Sequence, residues 1–536
     1  MGVLAVAVND ATDDAVLNRN LDVLSCCTGV TRRLRRWHFH FPVLICLVVI
    51  GTSVRCANLG RDFHYDESRT YWKTAQHSVL HVVTRYEQPN NHVLHSVLVH
   101  VSTRLFGESA YAIRLPALIA GIGLILATYR LCRVYFGRES AVLAAALATF
   151  WLPLVNYSVN ARGYTIQACF IAWVFSDLEY LCRGVSGRLP LVTGLFLGLS
   201  FWTIPTTAFA MLAICLYLTL RCRRRLLNRN FVAMLFKLVG SCVLVTALLY
   251  APILIRPGNS LFSNPWVQPL PWPEFWRLIG GYPFKVWHWI AGQPGQEVQY
   301  LMLASMIIAC VGYKYSPTRR GMLLIASLLT ASAVLIVARR IIPFERVFLF
   351  VVPCMLGTVA AGTVIAIRFA VTQSRLLPKA RVLISATAIT IALAGSAHHQ
   401  LFRSSITLLP AGTPANGLRQ VATYLVEQVE EGGMILAGIP TKCPLRLYLK
   451  ERGVDPTIVN RNVFLDTNKV STVHVVVNKK RRSLETFLEL SDSPREMRDQ
   501  SSHVATIGGY EIYLVKCTKP FNSSGGSYLK LSRRSG

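Results

Sequence analysis

The sequence predicts a polytopic α-helical membrane protein of about eleven spans with a small carboxy-terminal α/β domain, and three observations predict it. Of 536 residues, 52% are hydrophobic and only 15% are charged, too apolar for a soluble enzyme of this size. The basic residues come in short bursts between apolar runs, where the positive-inside rule puts cytoplasmic turns. From about residue 404 the long apolar runs give way to shorter mixed helix and strand patterns. Topology thereby accounts for the formal charge of +29, and nucleic acid is not expected as a partner.

The elements follow in order. Residues 1–40 form a polar cytoplasmic segment that ends in Arg32, Arg33, Arg35 and Arg36. No small-residue cleavage site follows the apolar stretch 41–59, so this stretch reads as an uncleaved anchor running outward. Residues 60–111 form the first outer loop, with surface-lying helices at about 67–84 and 92–106 that are too polar to span. The 112–131 run returns inside to Arg130, Arg133 and Arg138. Spans at 139–155 and 164–182 bracket a short outer link, Asn156 to Tyr164, and Arg183 and Arg188 close that hairpin inside. Spans at 189–204 and 206–220 turn at Pro205 and lead to Arg221, Arg223, Arg224, Arg225 and Arg229.

A span at 232–255 leads out to a long loop, 256–297, whose Trp266, Trp272, Trp276, Trp287 and Trp289 suit the headgroup zone. Spans at 298–313 and 321–338 flank Lys314, Arg319 and Arg320, and spans at 346–367 and 382–400 flank Arg368, Arg375, Lys379 and Arg381. The transmembrane domain thus covers 41–403. Residues 404–518 then form an extracytoplasmic α/β domain, with helices near 415–431 and 443–452, strands near 434–439 and 472–478, and a hairpin near 503–516 around Gly508-Gly509. Residues 519–536, rich in Ser, Gly, Lys and Arg, form a disordered tail. The 14 cysteines mostly sit in apolar runs without metal-ligand spacing, so they read as small buried hydrophobes, and no metal is expected. Cys443 and Cys517, in the exported part, either pair or stay free.

Two features point to chemistry. Asp66-Glu67, in Arg61-Asp-Phe-His-Tyr-Asp-Glu-Ser-Arg69, places carboxylates directly after the first span, on the outer side. Alone, the pair reads equally as a solvated loop end. The second feature is an exception to positive-inside: Arg339, Arg340 and Arg346 fall on that same outer side. Each guanidinium costs up to roughly 2.5–3.5 kcal/mol if drawn toward the bilayer centre, and a bound anion offsets such a cost. Arginine suits phosphate because its planar fork bonds two oxygens at once. Contact with headgroups, or pairing with Glu345, is the alternative for Arg339 and Arg340. Arg162, in the short outer link, is a further candidate.

The chain resembles the GT-C superfamily of polyprenyl-phosphate-sugar-dependent glycosyltransferases, in its protein mannosyltransferase-like and aminoarabinose transferase-like branch, over roughly residues 40–370. The residues that carry the resemblance are Tyr65-Asp66-Glu67, Asn90-Asn91-His92-Val-Leu94, Arg104-Leu-Phe106-Gly107, Ala112-Ile-Arg114-Leu-Pro116, Tyr135-Phe136-Gly137, Ala161-Arg162-Gly163-Tyr164, and Phe344-Glu345-Arg346 with Pro353. Related enzymes often carry a basic or His-Pro-Pro sequence where this chain has Asn91-His92-Val93. The aromatic that commonly follows the acidic pair falls at Tyr71 or Trp72, shifted by about a position. The resemblance implies a lipid-linked sugar donor and transfer on the outer face, with the first-loop Asp as catalytic carboxylate.

On that footing Asp66 is the expected base for an acceptor hydroxyl, in an in-line attack that inverts the anomeric centre. Arg162 and Arg346 hold the phosphate charge left behind. Glu67 either hydrogen-bonds the acceptor, orients Asp66, or faces water. His92, with Asn91, either binds the donor or is structural, and Tyr164 either lines the sugar pocket or anchors at the interface. No nucleotide-binding glycine loop appears, and no cofactor or divalent cation is expected. The carboxy-terminal domain binds acceptor, shapes the entrance, or only packs on the outer loops. The acceptor, a protein, a lipid or a polysaccharide, is not specified by the sequence. A bacterial inner membrane is the expected location. The rival readings are a lipid or solute transporter or flippase, which would place charges near the bilayer midplane, and a non-catalytic binder of lipid-linked sugar.

Overall fold

The computed structural model describes residues 41–86, 91–184, 187–256, 268–292, 295–312, 318–373, 417–430, 432–460, 470–479, 481–491 and 496–516. The segment 1–40, the span at 382–400, the domain boundary at 404, Cys517 with its pairing, and the 519–536 tail lie outside these residues.

The membrane part is a helical bundle. Four of its helices, Ala110–Tyr135, Arg229–Ile255, Thr318–Arg339 and Glu345–Ala370, are long and apolar enough to cross a bilayer. A span needs roughly 20 residues at about 1.5 Å of rise each. Shorter apolar helices, among them Phe41–Cys56, Leu189–Thr203 and Gln296–Val311, fill other positions expected to span. The span expected at 139–155 is broken: Arg138–Phe150 and Leu152–Ser158 meet at 56°. Pro153 lies in the first turn of the second piece and has no N–H for the carbonyl of Thr149.

Arg55, fully buried in the first helix, fills the gap left by that break. Its Nη1 donates to Thr149 O at 3.0 Å and to Gly51 O at 3.0 Å, its Nη2 to Ala148 O at 3.2 Å, and its Nε to Ser158 Oγ at 3.1 Å. A buried cation is thus held in part by the Thr149 carbonyl, which Pro153 leaves without an N–H partner in the membrane. Close approach requires glycine at Gly121, where a Cβ would collide with both Oγ and Cβ of Ser158.

The segment expected as the first outer loop holds Tyr65–Thr70, a π-turn Tyr71–Ala75, then Val79–Thr84 and Val93–Phe106. The stretch expected as a loop at 256–297 instead carries two short helices, Trp272–Ile279 and Tyr282–Ile290. Pro273 and Pro283 sit in their first turns, where a missing N–H costs nothing.

The carboxy-terminal unit is a five-stranded sheet: β1 Met434–Ala437, β2 Val459–Asn460, β3 Thr472–Asn478, β4 Ser501–Ile507 and β5 Tyr510–Lys516, in the order β2-β1-β3-β5-β4. β1 pairs in parallel with β2 and β3, and β5 pairs antiparallel with β3 and β4. Strand β3 is buried on both faces. Val473, Val475 and Val477 pack on Phe487 and Leu488, while Val476 faces Leu445 and Tyr448. Gly508 and Gly509, both at positive φ (54° and 88°), make the two-residue β4–β5 turn.

This unit is seated on the first outer loop, sharing one hydrophobic cluster with Phe63, Tyr71, Val99 and Ile113. Asp62 carboxylate oxygens accept from the Gly417 and Leu418 N–H groups at 3.2 and 3.3 Å and from Tyr448 OH at 3.1 Å. The Phe63 N–H donates to Tyr448 Oη at 2.6 Å. Of the roles open to the carboxy-terminal unit, packing on the outer loop is the one these contacts establish.

Candidate active site under the first outer loop

Asp66 and Glu67 are neighbours in sequence but have opposite environments. Glu67 is 1% exposed and every acceptor position of its carboxylate is taken. Oε1 accepts from Arg114 Nε at 2.9 Å and Ala161 N at 2.8 Å; Oε2 accepts from Arg114 Nη2 at 3.0 Å and His64 N at 2.8 Å. Arg114 in turn spends its remaining donors on the carbonyls of Leu59, Arg61 and Asp62, at 2.6, 2.7 and 3.2 Å, and lies 4.5 Å over the Phe63 ring. Burial alone raises the Glu67 carboxyl pKa, yet Arg114 outweighs it and holds the group below the usual carboxylate range. Glu67 therefore does not face water, and it has no lone pair left for an acceptor. It joins the first outer loop, the Ala110–Tyr135 helix and the outer link, and so fixes the direction of Asp66 one residue away.

Asp66 is 31% exposed, and its Oδ2 lies 3.7 Å from Arg346 Nη2. Burial pushes its carboxyl up, but Arg162 and Arg346 pull it down further, so the net displacement is below the ordinary value and the group is ionised at neutral pH. Arg346, 16% exposed, donates from Nε to Tyr164 Oη at 3.0 Å and lies 4.5 Å over the Phe344 ring. Tyr164 opens the Tyr164–Cys182 helix and meets the rings of His92 and Tyr157 edge-on at 4.8 and 5.4 Å.

Arg162 is buried in the outer link, with Nη1 donating to Thr70 Oγ1 at 3.0 Å. His92 Nδ1 accepts the Gly163 N–H at 2.8 Å, so in the neutral ring the proton sits on Nε2. Burial, and then Arg162, push this histidine well below its ordinary pKa, which keeps it neutral. Its Nε2 is 3.3 Å from Arg162 Nη2. Imidazole and guanidinium thus present N–H donors side by side, an arrangement that an oxyanion bridges well.

Asp66, Arg162, His92, Tyr164 and Arg346 therefore converge; besides Glu67, three expected residues do not join them. Asn91 is used inside the loop, donating to Arg85 O at 3.3 Å and accepting from Ser96 Oγ at 3.1 Å. Arg340, at φ +50°, lies with its guanidinium 5.4 Å over the Trp272 ring. Arg339 is exposed at the end of its helix. Sequence reasoning missed Arg114, quoted only as part of a motif, and Thr70. An arginine four residues into an apolar helix was the available signal for the first, since such a charge needs a partner.

Residues 90–255 match the family model described as dolichyl-phosphate-mannose-protein mannosyltransferase. The chain superposes on apo ArnT from Cupriavidus metallidurans with a TM-score of 0.52 at 13% identity, covering 88% of this chain and 97% of that one. The fold is that of the GT-C superfamily. A second GT-C structure, the oligosaccharyltransferase AglB from Archaeoglobus fulgidus in complex with an inhibitory peptide and a dolichol-phosphate, aligns with a TM-score of 0.52 at 13% identity, over 87% of this chain and 72% of that one. No curated protein matches the chain in sequence. The resemblance read from the motifs is borne out at the level of the GT-C fold.

Proposed function

We propose that this chain is a membrane glycosyltransferase that moves a sugar from a polyprenyl-phosphate donor to an acceptor hydroxyl on the extracytoplasmic face. One observation carries the reading: an ionised, partly open carboxylate, Asp66, stands 3.7 Å from a half-buried arginine, Arg346, beside the buried Arg162–His92 donor pair. The match to mannosyltransferases and the GT-C fold support the same class of donor.

In this reading the donor phosphate lies against Arg162, the His92 Nε2–H and Arg346, and the sugar lies against Tyr164. Phosphate is already a good leaving group, so the enzyme must align the acceptor hydroxyl, remove its proton and stabilise the released charge. Asp66 takes that proton as the acceptor oxygen attacks the anomeric carbon opposite the phosphate, with inversion. A positioned base contributes about 10²–10⁴-fold, and preformed donors for the departing oxyanion add electrostatic stabilisation without reorganisation. Glu67 is a positioning residue. Arg339 and Arg340 are assigned to the outer headgroup zone, and Asn91 to the structure of the loop. The same assignment puts the carboxy-terminal unit outside, the Arg-rich turns inside, and the protein in a bacterial inner membrane.

The test is to supply full-length protein in lipid with isotope-labelled polyprenyl-phosphate sugars and a membrane extract, and to identify the labelled product by mass. Asp66→Asn is expected to abolish transfer while retaining donor binding. Transfer at the wild-type rate by that variant would overturn the assignment.

A further inference from the structure

At the far end of the bundle from Asp66, the Tyr164–Cys182 helix closes with Cys182, and Cys222 directly follows the Ala208–Arg221 helix. The helices bring these two residues, 40 apart in sequence, together with their sulfurs 2.8 Å apart, close enough to share one thiol proton. Both side chains are buried, at the opposite end of the Tyr164–Cys182 helix from the site above. Glu179, one turn before Cys182 and fully buried, accepts from Tyr217 Oη at 2.6 Å, Arg221 Nε at 2.9 Å and Arg320 Nη1 at 3.0 Å. Arg225 Nη1 donates to the carbonyl of Cys182 itself at 3.0 Å. The Tyr164–Cys182 helix, 19 residues long, separates this cluster from Tyr164 by about 27 Å at 1.5 Å per residue.

We propose that Cys182 and Cys222 form a redox-active dithiol, reduced in the resting protein and closed to an intramolecular disulfide by a peroxide. A disulfide bond is about 2.05 Å long, so two sulfurs already inside van der Waals contact need only a small side-chain adjustment to join. The environment supports Cys222 as the attacking sulfur: the Cys182 thiol beside it, with Arg221 and Arg225, outweighs burial and holds the Cys222 thiol below its ordinary range. The Cys222 thiolate attacks one peroxide oxygen, giving a sulfenic acid and hydroxide. The Cys182 thiol then displaces the sulfenic oxygen, which leaves as water once the Cys182 proton is counted. In sum, two thiols and one hydrogen peroxide give one disulfide and two waters. The positive-inside pattern puts this end in the cytoplasm, where thiols are kept reduced, so the disulfide marks oxidative conditions.

The bond would pin the inner ends of two helices whose outer ends already touch, where Gln167 Nε2 donates to Thr207 Oγ1 at 2.9 Å. The oxidation state of the dithiol would then fix the splay of the helix that presents Tyr164.

The experiment uses the full-length protein in lipid. Hydrogen peroxide is added, the excess removed, the chain denatured, remaining thiols alkylated, and peptides read by mass with and without dithiothreitol. The expected product is a cross-link between the peptides holding Cys182 and Cys222, lighter by two hydrogens, lost on adding dithiothreitol, while Cys132 and Cys354 stay alkylatable. Two results would overturn the proposal: both thiols alkylated as fully as in untreated protein, or Cys222 carried to sulfinic acid while Cys182 stays free. Because the wild-type chain is read, no variant has to fold for the answer to stand.

Discussion

Replacing Glu67 by glutamine tests whether the outer site is held in place by a buried ion pair. The substitution keeps shape and volume but removes the charge and turns one of the two oxygens into a donor. Two of the four hydrogen bonds now face each other donor to donor, at either the Arg114 Nε and Ala161 side or the Arg114 Nη2 and His64 side. Arg114 stays buried at 1% exposure with no carboxylate. Breaking a buried pair from one side costs about 3–5 kcal/mol, a large part of the 5–15 kcal/mol typical of a folded domain. The assay is thermal or protease-monitored unfolding in lipid, with Arg114→Gln and the double variant completing a cycle. The two single losses should overlap strongly, with a coupling of about 2 kcal/mol or more. The pH dependence has a matching sign. The folded pKa of Glu67 is depressed, so its contribution is present above the unfolded value of about 4.3 and is lost as pH falls through the folded value. If Glu67→Gln unfolds like wild type yet loses two or more orders of magnitude in kcat, the positioning role is refuted and Glu67 touches substrate.

Further outcomes follow from the same geometry. His92→Phe keeps a ring but removes the Nε2–H, and is expected to weaken donor binding by about 10–150-fold, the worth of one hydrogen bond to a charged group at roughly 1.5–3 kcal/mol, read as a donor Kd, with kcat falling too because the same N–H faces the departing oxyanion. Arg346→Gln removes a cation that depresses Asp66, so the acid limb of kcat/KM should move to higher pH; an unmoved limb would show that Asp66 is not the titrating base. Arg55→Met strands the Ala148 and Thr149 carbonyls at about 1–3 kcal/mol each, visible as a lower unfolding temperature with donor affinity retained in the folded fraction.

The legible parts of the fold were those with a local physical signature. Helix 164–182 and strand 472–478 were read to the residue or nearly so, because apolar length and dense β-branching with flanking turns are local properties. Gly508-Gly509 announced its turn for the same reason, since only glycine takes positive φ twice without strain. Asp66 and Arg346 were visible as charges out of place. What stayed hidden depended on distant partners. Glu67 looks identical to Asp66 until Arg114 arrives from 47 residues away. Arg340 resembles Arg346 until Trp272 covers it. Cys182 and Cys222 read as filler because nothing in either helix alone brings them together.

Arg55 sets an order of events during biogenesis. Its partners Ala148 and Thr149 lie 93 and 94 residues downstream, so when the first helix leaves the ribosome its guanidinium has only the Gly51 carbonyl of its own helix to hold. The first helix can enter the bilayer early, but it can dock only after the broken pair Arg138–Phe150 and Leu152–Ser158 has followed it. Chains stalled before residue 148 should therefore keep a loosely seated first helix, open to membrane quality-control proteases that the finished protein escapes.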